Sequence, residues 1–172
     1  GMRQNTDDDG SVVKAYDHDL TLTTIASLEQ ARSSLAAASN GTYTLFGGGR
    51  ANSESSNVTA YNSALVRSRP ASLSDRRYDL AAASNGTYIL FGGGDDGDRG
   101  VAVVDAYDID LVRTTASSLP NTAARNAATS NGTHILFGGG FNGTATSAFD
   151  SVCAFNTELV RSTLADLKAA RY

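Results

Sequence analysis

Apolar and polar positions along this chain recur with a period of about 45 residues, and within each period they fall into runs of strand length. The stretch SNGTYTLFGGG at residues 39–49 returns as SNGTYILFGGG at 84–94 and SNGTHILFGGG at 130–140. The middle glycines, Gly48, Gly93 and Gly139, are spaced by 45 and 46 residues. A second block keeps the same beat: VKAYDHDL from Val13, VTAYNSAL from Val58, VDAYDIDL from Val104 and VCAFNTEL from Val152. Three of these continue into LVRSRPASL, LVRTTASSL and LVRSTLADL. Self-similarity at such a period is the mark of a repeat architecture and takes precedence over residue-by-residue assignment.

Each period parses into four short strands, called a to d. Asn40-Gly41, Asn85-Gly86 and Asn131-Gly132 sit between two strand-like runs. That placement predicts an a–b hairpin, with a type I′ turn in which both central residues have positive φ. Strand a is alanine-rich, which suits the crowded innermost position. Strand b mixes Tyr, Ile, Leu and Phe without alternation, as expected of a sheet packed on both faces. Three glycines and a polar loop follow, then strand c, a tight turn and strand d. Four antiparallel strands in about 45 residues is the size of one propeller blade.

The half-blades do not come out even. Three a–b hairpins are marked by Asn40, Asn85 and Asn131, but four c–d hairpins by Tyr16, Tyr61, Tyr107 and Phe155. The expected layout is a flexible N-terminal tail at 1–10, a half blade at 11–28, and blades at 32–74, 77–119 and 125–167. The fold class is therefore all-β, an incomplete ring of three and a half blades. Closed rings have about four to eight blades. An arc leaves apolar flanks bare, and large bare apolar patches are uncommon on monomers. A homodimer completing a six-bladed ring is expected on that ground. The alternative is a piece of a longer propeller.

The glycines after an apolar strand, the VxAYD strand, and an arginine near the start of the next strand (Arg32, Arg77) together resemble Kelch repeats. The resemblance runs from about residue 11 to the end and implies Kelch-type propeller blades with a binding role. The tryptophan usual in strand d is missing, since the chain has none. Leu20, Leu65, Leu111 and Leu159 are expected to take its apolar role. Some Kelch-like propellers are oxidases holding copper with Tyr and His. Here the two histidines, His18 and His134, stand at repeat positions that other copies fill with Ser63 or Tyr88, so no copper, other metal or cofactor is expected.

Composition narrows the function classes. Of the 172 residues, 41% are hydrophobic and 19% charged, with a net charge of −4. This is a globular composition, and its mild acidity argues against nucleic acid as a partner. There is no apolar run long enough for a membrane span, and no signal peptide is visible. The compartment stays open. A single cysteine, Cys153, excludes an internal disulfide. It occupies the repeat slot of Lys14, Thr59 and Asp105, a slot that tolerates charge, so partial exposure is expected.

No catalytic set stands out. There is no Ser/His/Asp pattern, and the glycines precede strands, not a helix as a phosphate loop requires. The acidic loop GGGDDGDRG at 92–100 could offer oxygens to Ca²⁺, but the matching loops lack its acids. The N-x-Thr sequences at Asn40, Asn85 and Asn131 are hairpin turns, which explains them without glycosylation. The a–b and c–d turns are nearly invariant and should share one face. The b–c and d–a loops (residues 50–57, 95–100 and 141–147; 29–33, 74–79 and 120–125) vary and should share the other. Variable loops on a constant scaffold are where binding specificity resides. The expected function is a non-catalytic binding or scaffold module for a protein or carbohydrate ligand, using Arg32, Arg50, Arg76, Arg77, Tyr78, Asp95, Asp96 and Arg99. The alternative is the substrate-binding part of a larger enzyme or surface protein.

Overall fold

The structure, a computed structural model, describes residues 10–142 and 148–171. The tail expected at 1–10 and the end of the third b–c loop fall largely outside the described residues. Strands come in chain order: β1 (Lys14–Tyr16), β2 (Leu22–Thr24), β3 (Ala36–Ser39), β4 (Tyr43–Gly47), β5 (Val58–Asn62), β6 (Arg67–Ser68), β7 (Ala81–Ser84), β8 (Ile89–Gly92), β9 (Val104–Tyr107), β10 (Arg113–Ala116), β11 (Ala127–Ser130), β12 (Ile135–Gly138), β13 (Val152–Phe155) and β14 (Arg161–Thr163). They form one two-stranded and three four-stranded antiparallel sheets, each strand pairing with its neighbour in sequence. The fold is thus all-β, three propeller-type blades preceded by an outer half blade. Among the described residues no helix is long and apolar enough to cross a membrane.

Packing follows from side-chain size. The alanine strands β3, β7 and β11 lie against one another in succession, as innermost strands must. Small side chains let the sheets converge there. All of β8 and β9 is buried, because blade 2 has a neighbour on each side. One core joins blades 1 and 2 through Leu45, Val58, Ile89 and Phe91; a second joins blades 2 and 3 through Leu90, Val104, Ile135 and Phe137. The interface has a repeating knob. A Cβ built on Gly47 would stand 2.7 Å from the Phe91 ring of the next blade, and one on Gly92 would stand 2.6 Å from Phe137. Within each blade an aromatic pair meets edge to face, as Phe91 meets Tyr107 with centroids 5.9 Å apart.

One local expectation is corrected and another holds for two residues of four. The a–b turn has positive φ at Gly41, Gly86 and Gly132 (89°, 89° and 91°) but not at the preceding asparagines. A type I′ turn needs positive φ at both central residues, so the Asn-Gly step does not form one. The asparagine acts from its side chain: Asn40 Oδ1 accepts the backbone N–H of Thr42 and Tyr43 at 3.0 and 2.9 Å. Of Leu20, Leu65, Leu111 and Leu159, the last two take the expected apolar role, half-buried against the two cores, while Leu20 and Leu65 are exposed. All four close the c–d turn in a left-handed conformation, with φ of 60–62°, and Leu20 is 78% exposed. The carboxylate or amide at the turn's start holds this geometry, as when Asp17 Oδ1 accepts the N–H of Asp19 and of Thr21.

Candidate functional site

The variable face is built on invariant backbone bonds. Each b–c loop turns back along the d–a segment that opens its own blade. Ser33 pairs with Arg50, Tyr78 with Asp95 and Ala124 with Phe141, each through two reciprocal backbone hydrogen bonds of 2.8–3.0 Å. The same loop also reaches the next blade, since Gly94 N–H donates to Ala123 O at 2.8 Å. Gly93 and Gly94 have φ of +70° and +106°, and side chains there would collide with Ala123 O and Tyr78 O. With the backbone fixed this way, loop side chains are free to differ between blades.

In the d–a segments just before strand a, Ser34, Asp79 and Arg125 occupy equivalent left-handed positions, with φ of 52–53°. Asp79 N–H donates to Ser34 O at 3.0 Å, and Arg125 N–H to Asp79 O at 2.8 Å. Arg125 Nε also meets Asp79 Oδ2 at 2.8 Å. Outside this chain of bonds, the Arg50 guanidinium lies over the Tyr78 ring at 5.1 Å and Arg125 over Phe141 at 5.1 Å. Burial, then the charge of Asp95, raises the Tyr78 hydroxyl above its ordinary pKa.

Beside these stacks a groove of about 570 Å³ opens between the d–a segment entering blade 2 and the b–c loop leaving its strand β8. Asp75 and Arg76 line one wall, Asp96, Asp98 and Arg99 the other, with Thr122 at the end. Asp96 shapes the loop: its Oδ1 accepts the N–H of Asp98 and Arg99, each at 3.0 Å. The Asp98 N–H, aided by that of Arg99 and the Arg99 guanidinium, holds the Asp96 carboxyl below the usual range. It is a fixed negative charge at neutral pH. Among the described residues no three His, Cys, Asp or Glu side chains converge as a metal cage requires.

Of the eight site residues read from the sequence, Arg76, Asp96 and Arg99 come together in the groove. Arg50, Tyr78 and Asp95 form a second group around the stacked ring. Arg32 and Arg77 are corrected, for they lie beneath the loops and belong to the blade interior. Arg77 is 0% exposed and its Nη2 meets Asp105 Oδ2 at 2.7 Å and Phe91 O at 3.2 Å. Arg32 directs Nη2 to Phe46 O and Thr59 Oγ1, and burial lowers its pKa. Asp75, Asp98, Asp79, Arg125 and Phe141 were not singled out as site residues. Their signal was positional: each falls in a variable loop segment or beside an element that carries one.

Cys153 is corrected as well. It is 1% exposed, and burial raises its thiol pKa. In the native chain at pH 8 it is expected to resist a disulfide reagent such as dithionitrobenzoate, and to react at the rate of a free thiol once unfolded. Rapid labelling of the folded chain would contradict the burial.

No family model matches the chain, and no curated protein matches it in sequence. Among solved structures, YjhT superposes on 90% of this chain with a TM-score of 0.69 and 13% sequence identity. The match covers 51% of YjhT, so the chain spans about half its length. At that identity the likeness speaks for the fold, and the fold is that of an arc of propeller-type blades.

Proposed function

We propose that the chain is a non-catalytic binding module of Kelch type whose variable-loop face takes a hydrophilic ligand, a carbohydrate in the first instance. The observation that carries this reading is the groove of Asp75, Arg76, Asp96, Asp98 and Arg99. Charges of both signs stand there on a loop braced by its own backbone. Such a surface offers donors and acceptors for hydroxyl groups. It lacks the buried apolar anchor on which protein–protein hot spots depend, and its lining sets these charges beside the short apolar run Val101, Ala102 and Val103. Replacing Arg76 and Arg99 together by alanine tests it, since both are exposed and the fold does not rest on them. On an array of neutral and acidic glycans the chain is expected to bind a subset, and the double variant to lose about tenfold or more in affinity. An empty array, or unchanged affinity for every bound glycan, refutes the reading.

A second reading, the substrate-binding part of a larger enzyme or surface protein, is favoured by the share of YjhT that the chain spans. Conversion of a bound glycan by this chain alone would replace the first reading with an enzymatic one.

A further inference from the structure

The hairpin β1–β2 stands against blade 1 as the outer half of each blade stands against the next. Tyr61 Oη donates to Ala26 O at 2.5 Å, as Tyr107 Oη does to Ala71 O at 2.8 Å. Arg67 Nη1 donates to Ser27 O, as Arg161 Nη1 does to Ser118 O. Among the described residues this outer half has no inner half. Three observations converge on the place where one would sit. Among the described residues strand β1 is paired by β2 alone, which leaves it one unpaired edge. Tyr16 is 62% exposed, whereas its repeat equivalents Tyr61 and Tyr107 are 3% and 0% exposed. Phe46 is only half-buried beside a hollow of about 200 Å³, lined also by Val13, Ala15 and Ile25, whereas Phe91 and Phe137 are buried against Gly47 and Gly92.

We propose that this place is a docking site for an inner half blade, a β-hairpin of the chain's own a–b type. The hairpin adds to the free edge of β1 by strand pairing, a mode in which backbone bonds give affinity and side-chain pockets give specificity. The register follows from blade 2, where Ile89 pairs with Tyr107, Leu90 with Ala106 and Gly92 with Val104. An added strand of that sequence sets its isoleucine opposite Tyr16, its leucine opposite Ala15 and its glycine opposite Val13. The glycine is the selective element. In both complete interfaces the phenylalanine ring occupies the space that a Cβ would need. A whole blade from a second copy is the poorer occupant, because β1–β2 already fills the outer half of the position.

A synthetic peptide spanning residues 77–94 tests the proposal on the full chain. The peptide is expected to raise the unfolding midpoint and to slow amide exchange at Lys14 and Tyr16 by about tenfold or more. The β1 amides distinguish this site from adsorption on the flank of blade 3. A peptide carrying Gly92→Val is expected to bind at least about tenfold more weakly, since the added methyls meet Phe46. Failure to bind at about 1 mM peptide overturns the proposal, as does equal binding by the Gly92→Val peptide. A chain that is already dimeric without peptide, with its β1 amides protected, overturns it in favour of a second copy.

Discussion

Replacing Asp105 by alanine is expected to destabilise the chain by about 3–5 kcal/mol, because it leaves a guanidinium buried without its counter-charge. Asp105 is fully buried and saturated with donors. Oδ2 accepts Arg77 Nη2 at 2.7 Å and both Ser74 N and Ser74 Oγ at 3.1 Å, while Oδ1 accepts Arg113 Nη1 at 2.9 Å. Arg113 is partly exposed and turns to water when the carboxylate goes; Arg77 is fully enclosed and has no such route. The fold contains its own control. In blade 3 the arginine position is Ala123 and the aspartate position is Cys153, both buried. Blade 3 thus dispenses with the ion pair altogether, in line with the general finding that a buried pair can be exchanged for neutral groups at little net cost. The double replacement Arg77→Ala with Asp105→Cys, which copies blade 3 into blade 2, is therefore expected to be more stable than Asp105→Ala alone, although it removes more atoms. Urea titrations of wild type, Arg77→Ala, Asp105→Cys and the double variant supply the cycle, with Asp105→Ala measured beside them. A double variant weaker than Asp105→Ala would show that the pair acts through packing and not through charge.

The same residues explain what could be read from the sequence and what could not. Strand number, order and hairpin connection were legible because each rests on a local signal repeated three or four times: an Asn-Gly step, a glycine run, a VxAY block. The turn type was not, because Asn-Gly serves two turn geometries, and the choice lies in where Asn40 Oδ1 points. Arg32 and Arg77 were misplaced because an arginine beside Ser, Asp and Tyr reads as a surface loop. Its burial depends on a partner 27 or 28 positions away in strand c. The missed signal is that the slots vary together, Arg77 with Asp105, Arg32 with Thr59 and Ala123 with Cys153. Cys153 was misread from the same slot: charge at Asp105 suggested solvent, whereas the charge is there to meet Arg77. Of the site itself, the face and the loops were legible, since they are the segments that differ between copies. The grouping into a groove and an aromatic stack was not, because it depends on how far each loop leans toward the next blade.

Gly92→Ala is expected to cost about 1–3 kcal/mol, the range for forcing one extra carbon into a closed core, while the same change at Gly138 is expected to be neutral within about 0.5 kcal/mol. The two glycines are equivalent in sequence, each ending strand b after a phenylalanine. Neither has the positive φ that would bar a side chain, so backbone strain does not separate them. The neighbour does. A Cβ at Gly92 would lie 2.6 Å from the edge of the Phe137 ring, which is 2% exposed, held in the core of two blades and paired edge to face with Phe155. The ring has no direction in which to yield without opening the interface. At Gly138 the nearest atom to a Cβ is Val152 Cγ2 at 3.3 Å, and a shift of a few tenths of an ångström in one methyl accommodates it. There the lower chain entropy of alanine in the unfolded state offsets the small contact penalty. Denaturant midpoints measure the contrast directly, and Gly47→Ala, at 2.7 Å from Phe91, should fall with Gly92→Ala. Equal losses at Gly92 and Gly138 would mean that the glycines serve the strand and not the joint between blades. A penalty confined to Gly47 and Gly92 locates their role in the phenylalanine of the neighbouring blade, the same contact that an added hairpin has to reproduce at Phe46.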